Sequence, residues 1–285
     1  MARHQRRNEP RKPSSGGKEW APAIDRPASD RTDAGKARYG ARAGKRRDVT
    51  AAEWLWGWHA VTAALVNPAR GAPRRLVATA EQARRLAALR PAPPTPETLE
   101  AGEITRLLPP GAAHQGVALK PGALEPLSLE ALASPAQGVL VMLDQVTDPQ
   151  NVGAVIRSAA AFGARGVIVQ DRHAPPFAGA LAKAAAGALD VVPHARVVNL
   201  ARALEQLEDL GWRSVGLAGQ AGEPLSSVLD QRPTVLVLGS EGEGLRRLVS
   251  EHCDALARIP MPGGFESLNV SAAAAVALYE ATRPR

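Results

Sequence analysis

The chain has 285 residues, 45% of them apolar, which suits one large soluble domain or two modest ones with a real core. It holds no run of 18 or more apolar residues and has a single cysteine, Cys253, so neither a membrane span nor an internal disulfide framework is expected. The net charge of +7 is unevenly spread: residues 1–48 carry 14 Lys/Arg and 6 Asp/Glu, against 21 and 22 in the remainder.

The first segment, 1–48, is rich in Arg, Lys, Gly, Pro and Ser and poor in large apolar residues. Such a composition cannot bury enough surface to offset ordering entropy, so a disordered basic tail is expected. A basic arm attracts polyanions through salt-sensitive contacts; a solubilising leader reads equally well. Its opening, MARHQRRNEPRK, lacks the apolar centre of a secretory signal, and six acidic residues argue against a transit peptide.

A small domain is expected over 49–122. WLWGWHAVTAALVNP reads as an apolar lead followed by a helix over 59–66, stopped at Asn67-Pro68. PRRLVAT is a strand candidate, EQARRLAAL a helix, PAPPTPE a rigid connector, EITRLLPPG a short helix and HQGVALKP a short strand. Residues 123–136 read as a linker with one possible short helix.

From Gly138 the pattern becomes strand, helix, strand. GVLVMLD, GVIVQ, DVVPHARV, RSVGLAG, PTVLVLG and LARIPMP are strand candidates. NVGAVIRSAAAFG, FAGALAKAAAGA, NLARALEQLEDLG, GLRRLVSEH and NVSAAAAVALYEAT are helix candidates. Strands that are apolar on both faces and alternate with helices predict a parallel α/β sheet covered on two sides, here over 137–285.

Three segments stand out, each where a strand hands over to a helix, which is where ligands sit in such sheets. In LDQVTDPQNVGAVIR, Asp148 and Asn151 suit a cap and turn, and Arg157 stands alone in a helix of small and apolar residues. In VLVLGSEGEGL, glycines 239, 242 and 244 allow close approach to the backbone, but the spacing fits neither the dinucleotide fingerprint nor a phosphate loop. Glu241 and Glu243 would repel phosphate, so a phosphate-free ligand such as an adenosyl group is favoured. In RIPMPGGFESLNVSAAAAVALYE, Ser267, Asn269 and Ser271 offer more polar groups than one helix cap needs.

Together N-x-G-x-x-x-R, L-G-x-E-G-x-G and S-L-N-V-S resemble, in order and spacing, the three motifs of the SpoU/TrmH-type RNA 2′-O-ribose methyltransferases of the SPOUT superfamily. The resemblance covers 137–285. WGWHAV and GAAHQGVAL extend it to the family's small L30e-like RNA-binding domain, a layout similar to enzymes acting on a guanosine of 23S rRNA. It implies a trefoil-knotted methyltransferase domain, a homodimer packed through that domain, a cytoplasmic location and S-adenosylmethionine as methyl donor without a metal. It places the donor against Leu238, Gly239, Gly242, Ile259, Pro260, Met261 and Leu268. It places Arg157, Asn151, Glu241, Ser267 and Asn269 at the reacting ribose, with Glu241 pairing with and aiming Arg157. Arg70, Arg74 and Arg75 are candidate phosphate contacts; His59 and His114 read as structural; the His252-Cys253 pair has no second ligand cluster. Two alternatives are a tRNA 2′-O-methyltransferase and a non-catalytic RNA-binding protein of the same fold.

Overall fold

A computed structural model of the chain describes residues 53–264 and 267–284. The expected basic tail lies outside them.

The first sheet is built from short segments. β1 (Leu55–Trp56) pairs antiparallel with β4 (Val117–Lys120), β4 pairs antiparallel with β2 (Arg75–Ala78), and β2 pairs parallel with β3 (Glu97–Thr98). Two of these were not anticipated. The apolar lead forms β1, with Trp54, Leu55 and Trp56 all buried. The last residue of the proline-rich connector opens β3, where prolines preset an extended chain that an edge strand accepts. The helices α1 (Trp58–Val66), α2 (Ala80–Ala87) and α3 (Ala101–Leu107) fall where the periodicity predicts. Thr79 caps α2, and Glu100 with Glu103 forms a capping box on α3.

Residues 123–136 do more than connect. Leu127 bridges Ala195 on the edge of the second sheet, and α4 (Leu129–Ala133) buries Leu129, Leu132 and Ala133. Ser128 caps it, and the Trp212 indole donates to the Ala133 carbonyl at 2.8 Å.

The second sheet is wholly parallel, in the order β10-β8-β9-β5-β6-β7. Its strands are β5 (Val139–Leu143), β6 (Gly166–Gln170), β7 (His194–Val197), β8 (Arg213–Leu217), β9 (Thr234–Leu238) and β10 (Ala255–Ala257). Every residue of β5 and β9 is buried. Val141 and Leu143 point into one core, with residues of α5 (Pro149–Ala161) and α10 (Val270–Thr282). Leu140 and Met142 point into the other, with Leu204 and Leu207 of α7 (Leu200–Asp209). This two-residue alternation between two apolar faces is why the central strands read as unbroken apolar runs.

The remaining helices are α6 (Gly179–Ala185), α8 (Leu225–Val228) and α9 (Arg247–Glu251), with a 3₁₀ turn at Ala188–Asp190. β10 is shorter than expected because Pro260 and Pro262 cannot donate to a ladder. α9 starts later than expected because residues 240–244 fold back on themselves first. The two sheets meet through α6: the Gly179 N–H donates to the Trp54 carbonyl at 3.0 Å.

Candidate active site

Three loops, those after β5, β9 and β10, converge beside a cavity of about 810 Å³ whose wall also takes in the end of β8. The first is the turn after β9. The Ser240 N–H donates to the Gly244 carbonyl at 3.1 Å and the Gly244 N–H to the Ser240 carbonyl at 3.0 Å, closing the loop on itself. A Cβ at Gly239 would stand 2.1 Å from the Gly244 carbonyl group, so only glycine fits there. Gly242 and Gly244 are required for another reason, positive φ of 92° and 70°.

The loop is anchored from beneath by a pair that sequence reasoning missed as site residues. Asp144, fully buried at the end of β5, accepts from the Arg246 backbone N–H at 2.9 Å and from its Nε at 2.7 Å. Arg246 also donates to Gln170 Oε1 at 3.1 Å. An acid ending an apolar run was the visible signal, but nothing in the sequence links it to an arginine 102 residues on.

At the rim, Glu241 gathers the other two loops. Its Oε1 accepts from Asn151 Nδ2 at 2.9 Å, from Asn269 Nδ2 at 2.6 Å and from the Val270 N–H at 3.3 Å. Asn269 Nδ2 also reaches Asn151 Oδ1 at 3.1 Å, and Asn269 Oδ1 caps α10 through the Ser271 N–H at 2.9 Å. Asp148 caps α5 beside them. A carboxylate at the start of α10 also meets the positive end of that helix. So three motif residues, at the starts of two helices and in one glycine loop, form one network.

Of the expected pocket residues, Leu238, Gly239, Gly242, Ile259, Met261 and Leu268 line the cavity, as do Glu241, Ser267 and Asn269. Pro260 is exposed and outside the lining. The fit to an adenosyl sulfonium is chemical. Leu217, Leu238, Ile259 and Met261 offer apolar walls, bare glycine backbone offers donors and acceptors, and Glu241 and Glu243 supply negative charge, with no lysine or arginine in the lining among the described residues.

Arg157 departs from expectation. It is exposed on α5 and makes no hydrogen bond or ion pair with any described residue, so Glu241 does not aim it. Six residues past Asn151 place it about 9 Å along the helix and about 240° around it, on a different face. Gly153 of the same motif has a packing role: a Cβ there would meet the Leu181 carbonyl at 2.4 Å, so it lets α5 and α6 close together.

The three candidate phosphate contacts separate. Arg70 is corrected: its guanidinium is 4% exposed and forms a bidentate pair with Asp190, itself 2% exposed, at 2.5 and 3.2 Å. It is a strut between the two sheets, unavailable to RNA. Arg75 pairs with Glu97 at 2.9 Å on the surface, and Arg74 is exposed without a side-chain partner among the described residues. His114 bridges Thr105 and the Gly116 N–H, with burial holding its pKa below the usual value. Cys253 donates to the Val249 carbonyl, and burial pushes its thiol pKa up to about 12.

The SpoU rRNA Methylase family model matches residues 138–279, the span that holds this whole network. The 23S rRNA (guanosine-2′-O-)-methyltransferase RlmB of Ralstonia nicotianae is 40% identical over 246 residues, 81% of this chain and 95% of that protein. The chain belongs to the SpoU methylase family. The RlmB of Xanthomonas campestris is 48% identical over 178 residues, covering 60% of this chain and 71% of that enzyme. Among solved structures, the SpoU methyltransferase AviRb from Streptomyces viridochromogenes superposes with a TM-score of 0.69 at 26% identity, over 84% of this chain and 91% of that one. The same enzyme in complex with AdoMet matches equally well, with a TM-score of 0.69.

Proposed function

We propose that this SpoU methylase transfers a methyl group from S-adenosylmethionine to the 2′-hydroxyl of a guanosine in 23S rRNA. The observation that carries the reading is the Asn151–Glu241–Asn269 network on the rim of an apolar, glycine-bordered cavity. The reaction class, the donor and the RNA follow the RlmB relatives, which are 40–48% identical, and the AdoMet-bound neighbour.

The bound donor would supply an already activated methyl group, so the chain's task is placement and proton handling. Glycines 239 and 242, Ile259, Met261 and Leu268 would hold the adenosyl end, with Pro260 shaping the same loop. Glu241 would keep its negative charge beside the sulfonium, because amides rather than a cation hold it in place. Asn151, Ser267 and Asn269 would hydrogen-bond the ribose and its phosphate. The free guanidinium of Arg157 would orient the hydroxyl and the target phosphate; a guanidinium does not give up its proton near neutral pH, so it acts as a donor and not as a base.

The wider reading assigns residues 49–122 to RNA binding through an L30e-like domain, with Arg74 and Arg75 as surface contacts. It assigns 123–136 to a connection and 137–285 to a trefoil-knotted catalytic domain that pairs as a homodimer in the cytoplasm. The exposed side chains of Val276 and Tyr279 on α10 suit such pairing. Labelled-methyl transfer tests the function: label entering unmodified 23S rRNA but not tRNA supports it, and label entering tRNA alone, or no RNA, refutes it.

A further inference from the structure

A second cavity, of about 640 Å³, opens where the small sheet meets the parallel-sheet domain. That is within the roughly 300–1,000 Å³ of typical small-ligand sites. Its walls include Trp56, the Pro109-Pro110 corner of the small domain, and Pro149 and Gln150 from the first turn of α5. Among the described residues no acidic side chain lines it, and Lys183 of α6 is the one charged group in its lining.

The position of Lys183 explains a motif that the catalytic network leaves unused. A Cβ on Gly57 would lie 2.4 Å from the Lys183 Nζ. The ammonium therefore occupies the space that any side chain at the centre of W-G-W would fill. Gln115 stands beside it, its Oε1 already accepting from the Trp58 N–H at 2.9 Å. Lys183 has no carboxylate partner among the described residues, although it is half-buried. A partly desolvated cation without a counter-ion is costly and is suited to binding an anion. Proline and alanine walls around a single positive charge match a nucleotide, with its base against the apolar walls and its phosphate on the ammonium.

The cleft is joined to the catalytic network through α5. Pro149 and Gln150 face the cleft, while the next residue, Asn151, bonds Glu241. Successive helix residues point about 100° apart, so one turn serves both sites. We propose that this cleft receives an unpaired nucleotide of the substrate RNA that neighbours the target, with its phosphate on Lys183. The proposal rests on the RNA methyltransferase reading and adds a second contact point on the same strand.

The test uses the full chain and a 23S rRNA fragment that the wild type methylates. Lys183→Met keeps the aliphatic stem and removes the charge. It is expected to raise the KM for RNA about tenfold, the effect of roughly 1.4 kcal/mol. It should leave S-adenosylmethionine affinity within about twofold and flatten the log–log salt dependence of RNA binding by about 0.7, one single-strand phosphate contact. Lys183→Arg should recover most of the loss. Ala113→Trp, on the exposed loop across the cleft, should raise the RNA KM with an unchanged melting temperature, and it stands alone should the lysine variant not fold. Wild-type RNA KM in Lys183→Met, or in a folded Ala113→Trp, overturns the proposal. A fall in kcat alone also overturns it. A wild type that methylates no RNA instead removes the functional reading beneath it.

Discussion

Asp190 and Glu241 each gather donors from distant segments, yet they are built for opposite ends. Asp190 takes a bidentate arginine and the Asn67 amide, and its carboxylate is almost fully enclosed. Glu241 takes two asparagine amides and a backbone N–H, and it is exposed at a cavity rim. A carboxylate matched by an arginine is neutralised and serves to fasten two sheets. A carboxylate held only by neutral donors is fixed in place with its charge unspent. The difference separates a strut from a site: what matters is the charge left over once the partners are counted.

The comparison can be broken at either end. The largest expected effect is on the strut. Asp190→Ala leaves Arg70 buried and unpaired, which should cost about 3–5 kcal/mol of unfolding free energy in urea denaturation. A cost below about 1 kcal/mol would mean the pair is not the fastening described.

His194 sits beside that strut, its ring tilted 46° against Phe177 with centroids 4.6 Å apart. Burial first, then Arg196 and Arg70, holds its pKa at about 4 against an ordinary 6.5. The unfolded chain therefore binds more protons than the folded one between those values. Stability should be complete above pH 6.5 and fall by about 3 kcal/mol as pH drops to about 4. His194→Phe should flatten that window in unfolding curves collected from pH 7 to 4; an unchanged slope would place the acid sensitivity elsewhere.

At the site, Arg157→Ala should lower kcat about 100-fold, the lower end for loss of a group that manages the reacting hydroxyl. Because Arg157 touches none of the rim network, donor binding measured by calorimetry should not change. Glu241→Gln should weaken donor binding about tenfold, about 1.4 kcal/mol, while changing stability by less than about 1 kcal/mol. Loss of stability without loss of binding would make Glu241 a second strut. The smallest effect belongs to the surface: Arg74→Ala and Arg75→Ala should each weaken RNA binding only about two- to threefold, as exposed, screened charges do, in a filter-binding titration.

Much of this was legible in the sequence, and unevenly so. The parallel sheet followed from β5 and β9, whose unbroken apolar runs require cover on both faces. The pocket loop was legible through its glycines, because positive φ at Gly242 and Gly244 and backbone crowding at Gly239 exclude other residues. Pairing was not legible. The family resemblance made Glu241 and Arg157 partners, but helical geometry sends Arg157 to another face, and Asn151 and Asn269 meet Glu241 instead. Arg70 resembled its neighbours Arg74 and Arg75 until Asp190, 120 residues away, was found against it. Short two-residue strands such as β1 and β3 were hidden because they depend on partners and have no period of their own.

The most direct measurement is mass spectrometry of nucleosides from unmodified 23S rRNA incubated with S-adenosylmethionine and either the wild type or Arg157→Ala. A single 2′-O-methylguanosine is expected with the wild type, and almost none with the variant despite intact donor binding. A methyl group on a base, on tRNA only, or at equal yield with Arg157→Ala would contradict the assignment.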